Sequence, residues 1–342
     1  MTTALPTIAI VFGMLSCRSS AAAIRQFARA VSPHRVLVHH DFSQTPELFA
    51  DHDNIVVLPQ PEKTAWGSWS LVSATFRLIE HAMLLEQWDY FQLVSEACLP
   101  ARPVEDFEAA LQARRPDVMI DMQPLIADNP AAVMNYGWRY LPRSGRLTRI
   151  ARRAGLWWIG RHYAVQTVCG GHIRIPHVQR LTLTEHARRL AGMMICRAFL
   201  ASRAGAFPLG SVRHCWVGSQ WFCVARSAAE RLLEQRRRTP ALEAHFRRCH
   251  IPDESYIHTL VAHCGFVHVV EGTHATFWDA RNCGPDQLAL ADFSRLGDSG
   301  RFFARKFSLD PDAPARLEML ARLRARGPAA MSAELPCQLS NA

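Results

Sequence analysis

Two adjacent carboxylates, Asp253 and Glu254, stand in the segment PDESYIHTL at 252–260. A carboxylate held next to a substrate hydroxyl can accept its proton, so this pair is the best candidate in the chain for general-base chemistry. The alternative is purely structural, because Pro at the first helical position and acids in the first turn are ordinary signals of a helix start. The pattern predicts a helix over 253–264 and leaves the role of the pair open.

Four other unusual blocks accompany this segment in a fixed order. They are AWGSWSLV at 65–72, LVSEACLP at 93–100, VGSQWFCVAR at 217–226 and FFARKF at 302–307. The blocks bring tryptophans, small polar residues and cations, which are residue types that bind ligands. The presence of these four blocks favours a functional interpretation of the acid pair.

Length and composition limit the class of protein. A chain of 342 residues with 49% apolar and 20% charged residues is typical of a soluble globular protein with one large or two smaller domains. The net charge of +9 invites a nucleic-acid interpretation, but the only lysines are Lys63 and Lys306. This excess of arginine indicates a GC-rich genome, so we expect no nucleic-acid partner.

The ten cysteines contain no CxxC pair, which favours the reducing cytosol over a disulfide framework or a zinc site. The apolar stretch Ile8 to Leu15 lacks a preceding basic region and is interpreted as a buried strand, not as a signal peptide. No run approaches the roughly 20 apolar residues of a membrane span. Clusters such as His39-His40-Asp41 or His258 with His263 could bind metal, but such histidines are more often core residues. We expect no metal site.

The first 125 residues alternate strand and helix patterns. Buried strands are predicted at 8–12, 35–38, 55–58, 90–94 and 117–120, and the clearest helix at about 70–87, capped by Ser68 or Ser70. Such alternation predicts an α/β fold with a mostly parallel sheet flanked by helices, whose ligands bind beyond the carboxyl ends of the strands. His39, His40, Asp41, Ser95 and Glu96 fall at those ends.

The regular pattern stops in a basic, aromatic insertion at 126–213. Between Trp138 and Arg213 there are fourteen arginines and a single acid, Glu185. This composition suits an anionic acceptor or an acidic membrane surface, contacted through an amphipathic helix around 181–200. The alternative is an irregular insertion with solvated arginines.

Regular structure is predicted again over 214–326. We expect a strand at 214–226, helices at 226–238 and 253–264, a strand at 266–270 and a last helix at 313–326, before a disordered tail at 327–342. The chain thus divides into an α/β half at 1–125, the insertion at 126–213, a second regular half at 214–326, and the tail at 327–342.

In order and spacing, the five blocks resemble the Core-2/I-branching family of inverting β-1,6-N-acetylglucosaminyltransferases, closest to its bacterial and plant-like branches. They are also similar to peptide O-xylosyltransferase. The resemblance runs from about residue 7 to 310 and covers 125–210 poorly. It implies a GT-A-like nucleotide-sugar transferase fold. It also implies transfer of N-acetylglucosamine, or xylose, from a UDP-sugar to a glycan or glycolipid hydroxyl without a metal ion or other cofactor.

The resemblance also implies roles for single residues. Glu254 matches the catalytic base, and Asp253 would orient or tune it on the acceptor side. Lys306 matches the lysine that binds the diphosphate of the donor. A second cation is left open between Arg281 and Arg305. In place of an Asp-x-Asp metal motif the chain reads Ser95-Glu96-Ala97-Cys98.

The remaining implied contacts concern the nucleoside and the acceptor. Asp41 and Trp66 match positions beside the nucleoside, with core packing as the alternative for Trp66. The acceptor would contact Gly218, Ser219, Trp221 and Trp278, although Trp221 also fits a buried strand aromatic. The resemblance therefore predicts a cytoplasmic glycosyltransferase, with peripheral contact to the inner membrane face as an alternative. Residues 1–125 would bind the nucleotide sugar, and residues 214–326 would bind the acceptor and carry the catalytic base. The competing hypothesis is a glycan- or membrane-associated protein of the same fold without turnover.

Overall fold

The computed structural model of the chain describes residues 8–46, 54–125, 214–278 and 284–325, together with Tyr136, Thr184 and the backbone of 166–168 and 172–174. Several sequence predictions fall outside the described residues. They are the helix around 181–200, the character of nearly all of the basic insertion, the position of Arg281 and the tail at 327–342.

The described strands alternate with helices along the first 125 residues, as predicted. The strands are β1 (Ile10–Ser16), β2 (Arg35–His40), β3 (Ile55–Val57), β4 (Tyr90–Ser95), β5 (Leu99–Pro100), β6 (Val118–Pro124), β7 (Gln166–Val168), β8 (His172–Arg174), β9 (Trp216–Ala225), β10 (Val269–Val270), β11 (His274–Thr276) and β12 (Phe303–Arg305). The helices are α1 (Ala21–Ala30), α2 (Trp69–Ala82), α3 (Val104–Arg114), α4 (Arg226–Arg238), α5 (Pro240–Phe246), α6 (Tyr256–His263), α7 (Phe293–Asp298) and α8 (Pro314–Ala325). None of the described helices has the length and apolar character that a membrane crossing requires.

Seven strands form the main sheet, in the order β10-β6-β9-β4-β1-β2-β3. All neighbouring pairs are parallel except those of β9, which runs antiparallel to β4 and β6. The predicted mostly parallel α/β sheet is confirmed. Because β9 is reversed, its first residues lie at the same edge as the carboxyl ends of the parallel strands. That edge is where ligands of open α/β sheets bind.

Strand β1 is buried on both faces of the sheet, which explains its continuous apolar sequence. Ile10, Phe12 and Met14 pack into one core with residues of α1, α3 and α8. Val11 and Leu15 pack into the other core with residues of α2, α4 and α6. Helices therefore cover both faces, and the loops that carry polar residues are confined to the edges.

A second, three-stranded sheet brings the C-terminal segment to the end of β4. In this sheet β12 pairs parallel with β11 and antiparallel with β5. Strand β5 follows β4 after only three residues, so β12 is held beside the carboxyl edge of the main sheet. The FFARKF block thereby reaches the turn at 95–98.

Two predicted element bounds were wrong. Helix α2 ends at Ala82, not near 87, and Leu84 beyond it is 75% exposed. The carbonyl of Ala82 accepts a hydrogen bond from the indole N–H of Trp88, which fixes a turn after the helix. The strand predicted at 266–270 is reduced to Val269–Val270, because Val267 is 96% exposed and pairs with no strand among the described residues.

Candidate active site

The acid pair lies in a turn of its own. Pro252–Glu254 forms a single 3₁₀ turn, and helix α6 begins only at Tyr256. Ile251 before the turn has φ of 48°, a left-handed conformation that is costly for a β-branched residue. The prediction that the pair sits in the first turn of a longer helix was therefore wrong. Ser255, with φ of −143° and ψ of −39°, separates this turn from α6, so helix-start preference alone does not explain the two acids.

Glu254 lines a cleft of about 580 Å³ at the carboxyl edge of the sheet. Residues from the end of β6, the start of β9, β11, α7 and β12 surround it. They are Asp121, Gly218, Ser219, Gln220, Trp221, Glu254, His274, Ala275, Thr276, Phe277, Trp278, Arg295, Ser299, Arg301 and Arg305. The structure thus brings together six of the residues predicted from sequence, namely Gly218, Ser219, Trp221, Glu254, Trp278 and Arg305.

Among the described residues, one carboxylate oxygen of Glu254 is held by a hydrogen bond and the other is not. Tyr136 donates its hydroxyl hydrogen to Oε2 of Glu254 at 2.8 Å. Oε1 has no hydrogen-bond partner among the described residues, although Glu254 lines the cleft. Sequence reasoning missed Tyr136, because it lies in the insertion, where no periodic pattern marks it. The free oxygen is the one that a bound hydroxyl could reach.

The two acids of the turn differ in their surroundings. Burial and the neighbouring charge of Glu254 raise the pKa of Asp253, which is 5% exposed and whose Oδ1 has no partner among the described residues. Burial also raises the pKa of Glu254, but the Tyr136 hydrogen bond and the charge of Arg305 act in the opposite direction. Since only Glu254 receives these two contributions, Glu254 is the member that ionises first and Asp253 is the one that keeps a proton.

The raised pKa of Asp253 makes the free energy of unfolding depend on pH, and Asp253→Asn should remove this contribution. An acid whose pKa is raised by folding costs no stability below its ordinary pKa. Above about pH 4 the folded state binds more protons than the unfolded state, so its free energy of unfolding falls as the pH rises. The Asn variant cannot ionise, and we expect its melting temperature to exceed that of the wild type by a growing margin between pH 5 and pH 9. One kcal/mol corresponds to about 2–4 °C for a large domain.

Calorimetric melting at several pH values checks this, with the exposed Asp298→Asn as the control. Asp298 lies on α7 and is exposed, so its variant should follow the wild type at every pH. Parallel melting curves for wild type and Asp253→Asn across this pH range would contradict the assignment.

A stack of rings fixes Arg305 on the wall of the cleft. His274 lies between Phe303, at 5.3 Å between ring centroids, and Trp221, at 5.5 Å. The Arg305 guanidinium carbon then lies 4.7 Å from the centroid of the Trp221 ring. Burial, with the charges of Arg305 and Arg301, holds the pKa of His274 well below its ordinary value, so the ring is neutral. A neutral imidazole between two aromatic rings gives Arg305 a rigid support.

The start of β9 is fixed from two sides. A Cβ at Gly218 would lie 1.9 Å from the backbone oxygen of Asp121, so close approach to β6 requires glycine here, beside a register shift between Ile120 and Met122. His258 of α6 donates from Nε2 to the backbone oxygen of Ser219 at 2.8 Å. Burial lowers the pKa of His258 to about 4, so it remains neutral. The close approach to β6 therefore requires glycine at 218, and contact of Gly218 with the acceptor stays a prediction.

Asp41 lies at the carboxyl end of β2 and organises the neighbouring loop. Its Oδ1 accepts from the backbone and hydroxyl of Ser43, and its Oδ2 accepts from Gln44 and from the backbone and hydroxyl of Thr64. Burial by itself raises the pKa of Asp41, but these hydrogen bonds outweigh it and hold the pKa well below its usual range. Asp41 is thus ionised and ties the segment before Trp66 to β2.

Trp66 follows this segment and connects it to the acid turn. The Trp66 side chain is 57% exposed, so the core-packing alternative was wrong. The carbonyl of Gly67 accepts from the backbone N–H of Ile251 at 3.2 Å. Asp41, Trp66 and the acid turn therefore lie along one continuous edge of the molecule, although Asp41 and Trp66 do not line the cleft itself.

The Glu96 carboxylate accepts hydrogen bonds from the loop between β1 and α1. Its Oε2 accepts from the backbone N–H groups of Cys17, Arg18 and Ser19 and from the hydroxyl of Ser16. Successive N–H groups before a helix are the donors that often bind phosphate. Here a side-chain carboxylate occupies them.

Lys306 lies next to the turn at 95–98, which follows β4. Its backbone oxygen accepts from the N–H of Leu288, and the N–H of Phe307 donates to the oxygen of Ala97. The Lys306 side chain is exposed and, unlike Arg305, does not line the cleft. It stands beside the carboxyl end of β4, where the sequence predicted a diphosphate contact.

The histidine clusters considered as metal sites have other contacts. His39 accepts at Nε2 from the backbone of Glu62, His40 bonds to Ser16 and to the oxygen of Thr45, and His263 donates to the oxygen of His214. Within the part of the chain that the structure describes, no group of three or more His, Cys, Asp or Glu side chains is placed to hold a metal ion.

Comparison with known proteins gives one family. The family model described as Core-2/I-Branching enzyme matches residues 24–129 and 209–296, which together make up more than half of the chain. These segments contain Asp41, Trp66, the acid pair and the tryptophans of the cleft, whereas Tyr136, Arg305 and Lys306 lie outside them. No curated protein matches the chain significantly.

Proposed function

Because the chain belongs to the Core-2/I-branching enzyme family, a family of glycosyltransferases with a GT-A-like fold, we propose that it is an inverting, metal-independent transferase. Its donor is a UDP-sugar, most simply UDP-N-acetylglucosamine, with UDP-xylose as the second candidate. Its acceptor is a hydroxyl of a glycan or glycolipid. The observation that supports this most is Glu254, a partly buried carboxylate in an aromatic and basic cleft, one oxygen of which has no hydrogen-bond partner in the described part of the chain.

In this proposal Glu254 is the general base. It accepts the proton of the acceptor hydroxyl while that oxygen forms a bond to the anomeric carbon of the donor. The bond from the anomeric carbon to the diphosphate breaks on the opposite face, and UDP leaves with the bonding electrons. Trp278, which is 50% exposed, offers apolar surface to the acceptor sugar beside the polar backbone of Ser219. Trp221 is only 5% exposed and packs against His274 and Arg305, as expected for a buried strand aromatic.

Cations stabilise the negative charge that grows on the leaving diphosphate. Lys306 is the first candidate because it is exposed beside the loop at 95–98, and Arg305 is the described candidate for the second cation. The N–H groups before α1 are already occupied by Glu96, which favours side-chain cations as the diphosphate ligands. Asp41 and Trp66 contact the nucleoside of the donor in this proposal, and the exposed indole ring of Trp66 is available to stack on the base.

A screen of thermal stabilisation by nucleotides and nucleotide sugars tests this function. We expect UDP and one UDP-sugar to raise the melting temperature, since a ligand at about 100 times its Kd adds roughly 2.7 kcal/mol to the stability of the folded state. Hydrolysis or transfer of the same UDP-sugar should then be detectable. Binding without turnover across a panel of glycan acceptors would favour a glycan-associated protein that has lost activity.

The same screen in excess EDTA tests the metal-free mechanism. We expect the stabilisation by UDP and the turnover to persist, because the segment after β4 has no Asp-x-Asp motif and the diphosphate is assigned to fixed cations. Loss of both in EDTA, with recovery on adding manganese, would refute this mechanism while leaving the family assignment intact.

A cytoplasmic location, with peripheral contact to the inner membrane face, is part of the proposal. Its support is the excess of arginines and the tryptophans between 138 and 213, which suit an anionic surface.

A further inference from the structure

We propose that Tyr136 is a positioning residue for the base. Its hydroxyl holds Oε2 of Glu254, turns the other oxygen toward the acceptor and keeps Glu254 ionised in preference to Asp253. This inference rests on the proposed function, since it assigns Tyr136 a part in the same proton transfer. Tyr136 lies outside both segments that the family model matches, so the basic insertion contributes to the site that the two matched segments build.

The hydrogen bond has a defined direction. The 2.8 Å contact joins the Tyr136 hydroxyl to an oxygen of a carboxylate, which has no hydrogen to give when it is ionised. Burial and the neighbouring charge of Glu254 raise the pKa of Tyr136, so the phenol remains a donor throughout the working pH range. A donor of this kind stabilises the ionised form of its partner over the protonated form.

The contact distinguishes two acids that are adjacent in sequence. Asp253 lies in the same 3₁₀ turn and is more deeply buried, but within the described ranges no tyrosine donates to it and its Oδ1 has no partner. Without Tyr136, the two carboxyls would differ chiefly through the charge of Arg305. The hydroxyl therefore determines which acid carries the negative charge and where its free oxygen points.

Other ionisable groups surround the turn. They are His250, which lies two residues before the turn, His258 of α6, the neighbouring Asp253, and His274, Asp121, Arg301 and Arg305 of the cleft. His258 and His274 are neutral, and Asp121 is paired with Arg301 at 3.1 Å. Among the groups that act on Glu254, Tyr136 and Arg305 are the two that favour its charge. Removing the Tyr136 hydroxyl while Arg305 stays should thus produce a measurable change.

Tyr136→Phe tests the proposal, with Tyr256→Phe as the matched control. Tyr256 lies at the start of α6, is fully buried, and its hydroxyl has no partner among the described residues, so its removal should not affect Glu254. The ionisation of Glu254 is followed by NMR of protein labelled with ¹³C at the Glu carboxyl, the signal being assigned by its loss in Glu254→Gln. We expect the titration midpoint to rise by about 1 to 2 pH units in Tyr136→Phe and to stay unchanged in Tyr256→Phe.

Kinetics supply the second measurement. The acid limb of the kcat–pH profile should shift upward by the same amount in Tyr136→Phe, so that activity lost at low pH is recovered at high pH, with donor KM unchanged. An unchanged midpoint would overturn the proposal, and so would a loss of kcat that is equal at every pH. If the wild type turns over no nucleotide sugar, the proposed function fails, and the NMR titration alone decides whether Tyr136 controls the ionisation of Glu254.

Discussion

Glu254→Gln is expected to fold normally and to lose about 10²- to 10⁴-fold in kcat, the usual contribution of a positioned general base. The amide keeps the shape of the side chain and can still accept from Tyr136 through its oxygen. It has no basic oxygen to take the acceptor proton. Affinity for UDP should change little, because the cations assigned to the diphosphate lie on β12 and after it, not in the acid turn.

The matched variant is Asp253→Asn, which changes the neighbouring acid in the same way. Asp253 keeps its proton in our assignment, so a neutral amide resembles its working state and kcat should stay within about one order of magnitude. Steady-state kinetics of both variants, with calorimetric titration of UDP, make the comparison. If Asp253→Asn were the crippling change and Glu254→Gln nearly silent, the base would be assigned to the wrong carboxylate.

Lys306→Ala is expected to weaken UDP binding by roughly ten- to a hundredfold and to lower kcat as well. A charge-assisted hydrogen bond contributes about 1.5–3 kcal/mol, which corresponds to this loss of affinity. The kcat effect follows because negative charge grows on the diphosphate as the sugar departs, so the lysine stabilises the transition state more than the bound donor. Lys306→Arg should restore the affinity only partly, since a planar guanidinium replaces a point charge on a different stem.

Calorimetric titration of UDP against wild type and both variants measures this. Arg324→Ala is the control, because Arg324 is an exposed cation on α8 and should not affect the donor. Equal affinity of wild type and the Lys306 variants would remove Lys306 from the donor site. Arg305 on the cleft wall and Arg281, which lies outside the described residues, would then be the candidates.

The sequence by itself determined the architecture of the first 125 residues. Its buried strands read as continuous apolar runs because both faces of the sheet are covered, as β1 illustrates. It also placed α4 correctly at 226–238 and identified four blocks that lie within the segments matched by the family model, whereas FFARKF at 302–307 lies outside them. These features depend on local composition and on order along the chain, which the sequence carries directly.

The short elements could not be predicted from the sequence. Strands β11 and β12 are three residues each and have no period long enough to recognise, and their pairing with β5 depends on residues distant in the chain. The acid turn is likewise separated from α6 by Ser255, whose φ of −143° and ψ of −39° are not helical, and it is preceded by a left-handed Ile251 whose N–H donates to the oxygen of Gly67. Local propensity favours a simple helix start there, and the tertiary contact overrides it.

Only the tertiary structure decided how the site is arranged. It put Tyr136 from the insertion against Glu254, stacked Arg305 on Trp221, and engaged Glu96 in the loop before α1. Each of these contacts joins residues that are about 80 or more positions apart, so no spacing in the sequence predicts them. The physical reason is that hydrogen bonds and burial, not residue type, determine which carboxylate is ionised and free to react.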